Sequence, residues 1–325
     1  MDYALGLLAV AVGFAVLNGA NNGSTLVAIA TSKTSLLPIT AIGLLAGGVV
    51  LGPLMFGTAV ATTLSSKLVD ATGPLGGRTF LAGIGASSAV IAFLAWRGLP
   101  SSLTLATVGG LGGAGLAAGL HLSWAILVLS ALMALLVPVG TALMTFQALN
   151  VLRAASSIFG NQELDRRGLR WFRNASFVLQ SAAYGTNDGQ RMLAILLVAL
   201  RVGRLGNSIS LPLYAFLAFA FGIGAVFGTR HMARGSSGRV APADSFQRSV
   251  ASVAASVAAF LGAMVGIPLS MSQTTSAALI GAHATVGARR VRWEEVGKLA
   301  AAWVFTLPAG VAVGAAGSTI LGWAR

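Results

Sequence analysis

The chain has 325 residues, 56% of them hydrophobic and only 9% charged, with a formal charge of +13. A soluble domain is about one-quarter charged, so a chain this apolar cannot cover a water-facing surface and must have lipid as its main solvent. The apolar runs are long and do not alternate at period two, which excludes a transmembrane β-barrel. The basic residues gather in loops, which makes them cytoplasmic loop charge and not the footprint of a nucleic-acid binder.

In chain order, stretches of the roughly 20 apolar residues needed to cross a bilayer predict helices over about 3–31, 36–64, 79–96, 121–149, 174–200, 207–228, 248–265 and 294–322. The first lacks a basic n-region and a small-residue cleavage site, and reads as a membrane helix, not a signal peptide. Segments 98–118 and 266–288 are apolar but rich in Gly, Ser and Thr, and each opens on Gly-x-Pro. The expectation is that they turn back within the membrane, where broken backbone survives only if protein or a wet cavity surrounds it. Residues 150–173 carry Arg153, Arg166, Arg167, Arg170 and Arg173 against Glu163 and Asp165. Residues 229–248 carry Arg230, His231, Arg234, Arg239 and Arg248 against Asp244. Both belong in the cytoplasm by charge. Arg289, Arg290 and Arg292 compete with that placement if 266–288 re-enters from the far side, and charge alone leaves the matter open.

The chain repeats itself. Gly19-Ala20-Asn21-Asn22-Gly23 matches Gly185-Thr186-Asn187-Asp188-Gly189 at an offset of 185 − 19 = 166. Gly98-Leu99-Pro100-Ser101-Ser102 matches Gly266-Ile267-Pro268-Leu269-Ser270 at an offset of 266 − 98 = 168. The organisation expected is a first transmembrane repeat over 1–149, a basic linker over 150–173 and a second repeat over 174–325. Paired interruptions in corresponding positions of two halves point to a transporter's central site.

Of eight acidic residues, seven fall at ends or in loops, and Asp188 alone lies inside an apolar stretch. A carboxylate at membrane depth is functional by default; the competing reading is a structural ion pair with Arg191, three residues on. The oxygens of Asn18, Asn21, Asn22, Asn187, Asp188 and Gln190 are hard ligands. A coupling Na⁺ would sit at Asn21, Asn22, Asn187 and Asp188, or Asp188 would carry a proton. Gly19, Gly23, Gly185 and Gly189 would let the helices unwind there. The competing reading is amide glue between helices. The second motif supplies hydroxyls and an amide for an oxyanion: Ser101, Ser102, Thr104, Ser270, Ser272, Gln273 and Thr274, with Arg191 offsetting charge. Half-helix starts would add N–H donors. Here the alternative is small-residue packing, since Gly109, Gly110, Gly112, Gly113 and Gly115 follow. His121 and His283 are isolated, with no spacing that resembles a metal site. The six tryptophans lie mostly near helix ends, as an interfacial belt does.

At these residues the sequence resembles the PiT family of inorganic phosphate transporters. Tyr184-Gly185-Thr186-Asn187-Asp188-Gly189-Gln190 is similar to the family's second-half signature, and Phe56 to Val60 and Trp293 to Pro308 also look like family sequence. The resemblance implies cation-coupled phosphate uptake at the cell membrane, coupled to Na⁺ or H⁺ and needing no other cofactor. It also implies an inverted repeat with two re-entrant hairpins, and a homodimer. Asn22 stands where the family usually has Asp, and Met271, Ser272, Gln273, Leu103, Thr104 and Leu105 replace a Thr-Thr-His element. With one carboxylate fewer, coupling by protons through Asp188 or by a single Na⁺ is expected, and sulfate becomes an alternative substrate. A passive anion channel would need no buried titratable group, so Asp188 counts against it. A membrane enzyme would need a catalytic constellation that is not present.

Overall fold

The computed structural model describes residues 2–31, 36–71, 73–97, 101–159, 166–204, 210–232 and 244–322, almost all of them helical. Helix α1 (Asp2–Asn18) continues through a π-helical turn, Gly19–Gly23, into α2 (Ser24–Thr31). Helix α8 (Arg166–Tyr184) continues in the same way through Gly185–Gly189 into α9 (Gln190–Val202). The interruption expected at each glycine-flanked motif is therefore a widened turn inside a continuous rod, not an unwound gap. Such turns shift side chains off the regular helical register and are frequent at functional sites.

The expected 36–64 helix divides. Helix α3 (Pro38–Phe56) ends at Gly57, and α4 (Ala59–Thr62) leads into a π turn at Thr63–Lys67. Gly57 has φ +80°, a conformation that L side chains avoid and that terminates the helix. The flanking residues are apolar on both sides, so hydropathy alone gave no break. Next come α5 (Gly73–Trp96), α6 (Leu103–Ala117), α7 (Trp124–Phe159), α10 (Leu211–Met232), α11 (Ser245–Met264), α12 (Met271–Ala284) and α13 (Trp293–Ile320). The basic stretch 150–173 is mostly helix, since α7 runs to Phe159 and α8 starts at Arg166. Gly98, Leu99 and Pro100 lie outside the described residues, as does most of the 229–248 loop.

Among the described residues seven helices are long and apolar enough to cross a membrane. The rod 166–202 is not one of them, because it carries the polar motif residues and a basic start. Helices α6 and α12 have 15 and 14 residues. At 1.5 Å per residue they reach about 22 Å, short of the roughly 30 Å hydrocarbon layer. Helix α6 packs on α5 and α13, and α12 packs on α11 and α7, so each short helix leans on the last long helix of the other half. Glycine permits both contacts. A Cβ on Gly113 would lie 2.0 Å from the Val311 carbonyl oxygen, and one on Gly281, 168 residues later, 2.0 Å from that of Ala142. Small residues that bring backbones together are the main packing device between helices in lipid.

The chain ends of these hairpins fix their direction. Val69 bridges Leu122, and the Ser123 N–H donates to the Leu68 carbonyl at 3.0 Å, so the α5–α6 hairpin starts and finishes at one end of the bundle. Helix α7 runs from there to the other end, where Arg153 Nη1 donates to the Thr285 carbonyl at 2.7 Å. The end of α12, and with it the 3₁₀ turn Ala288–Arg290 that follows, therefore shares an end with Arg153 near the end of α7. That removes the conflict that charge alone left open. Trp96, Trp124, Trp171 and Trp293 are exposed as belt residues should be, but Trp303 is buried with Leu105, Ala134 and Leu299 in a small core of its own. Trp323 lies outside the described residues.

Candidate functional site

The π turn at Gly185–Gly189 carries Asp188 into the centre of the bundle, and helical spacing puts Arg191 on the same face. Asp188 Oδ1 meets Arg191 Nη2 at 2.8 Å, and both side chains are fully buried. Two buried charges are tolerated only when paired and hydrogen-bonded. Asn22 Nδ2 donates to the same Oδ1 at 2.9 Å. Arg191 Nη1 donates to Thr104 Oγ1 at 2.7 Å, and Nη2 to the Leu269 carbonyl at 3.0 Å. Asn187 Oδ1 accepts the Leu269 N–H at 2.7 Å, while its Nδ2 donates to the Ala259 carbonyl at 3.3 Å. One turn of one rod thus grips the other rod, the start of α6 and the strand-like approach to α12.

The repeat offset explains which residues meet. Asn22 and Asp188 are counterparts, 188 − 22 = 166, and they bond to each other. Asn18 and Tyr184 are counterparts as well, 184 − 18 = 166, and Tyr184 donates its hydroxyl to Asn18 Oδ1 at 2.8 Å. A residue can touch its own counterpart only where the two copies face each other. The polar cluster sits on that line.

The other predicted residues divide into two groups. Asn21 Nδ2 donates to Ser101 Oγ at 3.2 Å and to Asn22 Oδ1 at 3.4 Å. Ser102 Oγ donates to Gln273 Oε1 at 2.9 Å, joining the starts of α6 and α12, and accepts the Leu105 N–H at 3.3 Å. Ser270 and Ser272 share a bond of 3.1 Å. Asn21 joins Asp188 through Asn22, and the serines and Gln273 sit at the starts of α6 and α12, beside Thr104 and Leu269, which hold Arg191. Thr274, by contrast, spends its hydroxyl on the carbonyls of Ser270 and Met271 at 3.1 and 3.0 Å. Gln190 Oε1 accepts the N–H groups of Val60 and Ala61 at 2.7 and 3.2 Å, so this expected ion ligand caps α4 instead. Gly19 and Gly185 are needed for contact: a Cβ on either would come within 1.9 Å of the Phe221 oxygen or 1.7 Å of the Gly48 oxygen.

Three polar elements escaped the sequence reading. They are Tyr184, the Leu269 backbone and Gln180, whose Nε2 donates to Thr275 Oγ1 at 2.9 Å while Ser252 donates to its Oε1 at 2.5 Å. The 166 offset would have paired Tyr184 with Asn18; nothing local marks the other two. Within the cluster, Asp188 Oδ2, Arg191 Nε and Gln273 Nε2 are buried without a hydrogen-bond partner. Buried polar atoms are normally satisfied, so these are the atoms that have capacity for a ligand. Among the described residues no group of three or more His, Cys, Asp or Glu is placed to hold a metal.

The model for the phosphate transporter family matches residues 18–314, nearly the whole chain and all of the cluster. The chain belongs to that family. It is 31% identical to a probable low-affinity inorganic phosphate transporter of Rhizobium meliloti (strain 1021), over 96% of this chain and 94% of that one. It is 27% identical to a protein of the same description from Bacillus subtilis (strain 168), over 96% and 95%. The solved structure of a sodium-dependent phosphate transporter shares its fold, with a TM-score of 0.84, 16% identity and 99% of both chains covered. The family is one of transporters and not of enzymes. With seven membrane-length helices among its described residues, the protein is a multi-pass protein of the cell membrane.

Proposed function

We propose that this protein carries inorganic phosphate across the cell membrane by exposing the central cluster alternately to the two sides, with a proton on Asp188 as the coupling ion. The observation that carries this reading is the isolated Asp188–Arg191 pair, whose carboxylate keeps one free oxygen. Protonating Asp188 removes the counter-charge of Arg191. The guanidinium, held by Thr104 and Leu269 at the starts of α6 and α12, is then left to pair with an oxyanion. Ser101, Ser102, Ser270, Ser272 and Gln273 supply the neutral donors around it. Loss of the proton restores the internal pair and weakens the hold on phosphate. The two hairpins start from opposite ends of the bundle, and the counterpart contacts fit an inverted repeat with re-entrant hairpins. By the positive-inside rule the end bearing Arg153, Arg173 and Arg289 faces the cytoplasm.

A second reading couples phosphate to Na⁺. It draws on the fold relative described as sodium-dependent and on the oxygens of Asn22, Asn187 and Asp188. The guanidinium 2.8 Å from the only buried carboxylate of the cluster weighs against it, because it occupies the electrostatic place a Na⁺ would take. Substrate is tested by uptake of labelled phosphate into proteoliposomes, with unlabelled phosphate or sulfate as competitor. Phosphate should compete and sulfate should not. Equal competition and equal carriage of sulfate would make the site a general oxyanion carrier and the phosphate reading wrong.

A further inference from the structure

A groove of about 620 Å³ runs between α7, from Met133 to Met144, and α11, from Val257 to Val265, with the buried Leu269 among its walls. Both helices are long enough to cross a membrane, and Leu136, Met144, Val257, Leu261 and Val265 are exposed along the groove. Among the described residues that line it, Thr141 alone has a polar side chain, and its hydroxyl donates to the Val137 carbonyl at 2.7 Å. A lining of this kind offers water no partners and stays dry. Helix geometry gives the depth. Met133 lies nine residues beyond Trp124, and Arg153 nine residues beyond Met144. At 1.5 Å per residue each step is about 14 Å, and Trp124 to Arg153 spans about 44 Å, the thickness of a bilayer with its headgroups. The groove is therefore centred on the middle of the hydrocarbon layer, where its occupant must be apolar.

The bore decides between the two apolar occupants of that depth, a lipid chain and a helix of a second copy. Met133 to Met144 is about 16 Å along α7, so 620 Å³ corresponds to a mean cross-section of about 40 Å². A helix with its side chains is about 10–12 Å across, or roughly 80–110 Å². A helix is too thick to enter, whereas an acyl chain, a single file of methylenes, fits. The groove also touches the site. A Cβ on Gly262 would lie 2.3 Å from Leu269 Cδ1, so the Leu269 side chain lies against α11. At the offset of 168 the counterparts of Gly262 and Leu269 are Leu94 and Ser101, so large and small are exchanged between the copies. In the second copy one residue thus lines the groove with its side chain while its backbone holds both Asn187 and Arg191.

We infer that this groove binds one phospholipid acyl chain, which backs the Leu269 side chain and steadies the grip of Asn187 and Arg191 on the approach to α12. The effect on the site rests on the reading of the chain as a phosphate carrier; the binding of the chain does not. Full-length protein in detergent, stripped of lipid, is irradiated with a phosphatidylcholine that carries a diazirine at the end of one acyl chain, and the modified residues are located by mass spectrometry of its peptides. Label on residues 133–144 and 257–265 should saturate, while exposed residues elsewhere, such as Phe219 and Phe305, take it up in proportion to the lipid added. A Cβ on Gly140 meets nothing within 4 Å, so Gly140→Leu should fill the groove, leave the bundle intact and abolish the saturable label. Phosphate binding by the stripped wild type should tighten about fivefold when phosphatidylcholine is added, the low end of coupling between two sites. Binding by Gly140→Leu should not respond to lipid.

Label that never saturates in the groove, or that survives in Gly140→Leu, would overturn the inference. So would a disulfide-linked dimer of Gly140→Cys, whose thiol is the only one in a chain without cysteine, together with protection of the groove from the label, because a second copy would then cover it. A saturable label with a phosphate affinity indifferent to lipid would overturn the link through Leu269. If the label saturates and phosphate does not bind under any condition, it is the carrier reading that fails and the groove assignment that stands.

Discussion

Residues 18–23 and 184–189 occupy matching places in two rods, with the same π turn, the same flanking glycines and the same close packing on a partner helix. They differ in what they hold. The first copy presents Asn18, Asn21 and Asn22, all neutral; the second presents Tyr184, Asn187 and Asp188, followed by Arg191. The shared features are those that shape the backbone, and the differing ones are those that set charge. Duplication supplies a frame in which the two copies must face each other. Charge is placed on one side only, as a single carboxylate paired with a single guanidinium in the second copy.

The largest effect that can break this comparison is at the charged copy. Asp188→Asn leaves Arg191 buried without a counter-charge, which should cost about 3–5 kcal/mol of stability or force the arginine to rearrange. Phosphate uptake should fall at least ~100-fold, a loss of transition-state stabilisation of about 2.7 kcal/mol or more. Uptake close to wild type would mean that the charge asymmetry is ornamental. The exchange Asn22→Asp/Asp188→Asn moves the carboxylate across one 2.9 Å hydrogen bond to the other rod. It should recover much of the thermal stability lost in the single variant and still transport poorly, because Arg191 stays behind. Full recovery of transport would show that the two copies are interchangeable in charge as well as in shape.

The shared frame predicts symmetric damage of intermediate size. Gly185→Ala and Gly19→Ala each drive a methyl group into a carbonyl of the neighbouring helix. Overpacking of this kind costs about 1–3 kcal/mol, and the two midpoints of thermal unfolding in detergent should fall by similar amounts. A large drop for one and none for the other would separate the copies structurally. Tyr184→Phe is the mildest change. It removes the hydrogen bond to Asn18 for about 1 kcal/mol and should leave uptake within a few-fold of wild type. A stability loss as large as that of Gly185→Ala would mean the contact between counterparts holds the bundle together.

Much of this arrangement is written locally. Apolar runs locate the long helices, the offsets of 166 and 168 pair the motifs, and a carboxylate alone in an apolar stretch singles out Asp188. What is not legible depends on distance in three dimensions. Gln190 reads as one more buried amide of the motif, but its partners are the Val60 and Ala61 N–H groups at the start of α4, which exists only because Gly57 breaks the predicted 36–64 helix. Leu269 carries no polar side chain, so its backbone, which serves both Asn187 and Arg191, leaves no trace in the sequence. Arg173 and Arg248 read as loop charge near two separate helix starts, and only the packing of α8 against α11 makes them neighbours. Trp303 reads as a belt residue, but the contact between α6 and α13 draws it into a core.

The central claim is that Asp188 and Arg191 form the coupling element and that the coupling ion is a proton. The most direct test is accumulation of labelled phosphate in proteoliposomes containing no Na⁺, driven by an imposed pH gradient, for the wild type and for Asp188→Asn. Accumulation should follow the pH gradient without Na⁺, gain nothing from an added Na⁺ gradient, and vanish in the variant. Accumulation that requires Na⁺, or that persists undiminished in Asp188→Asn, would contradict the account.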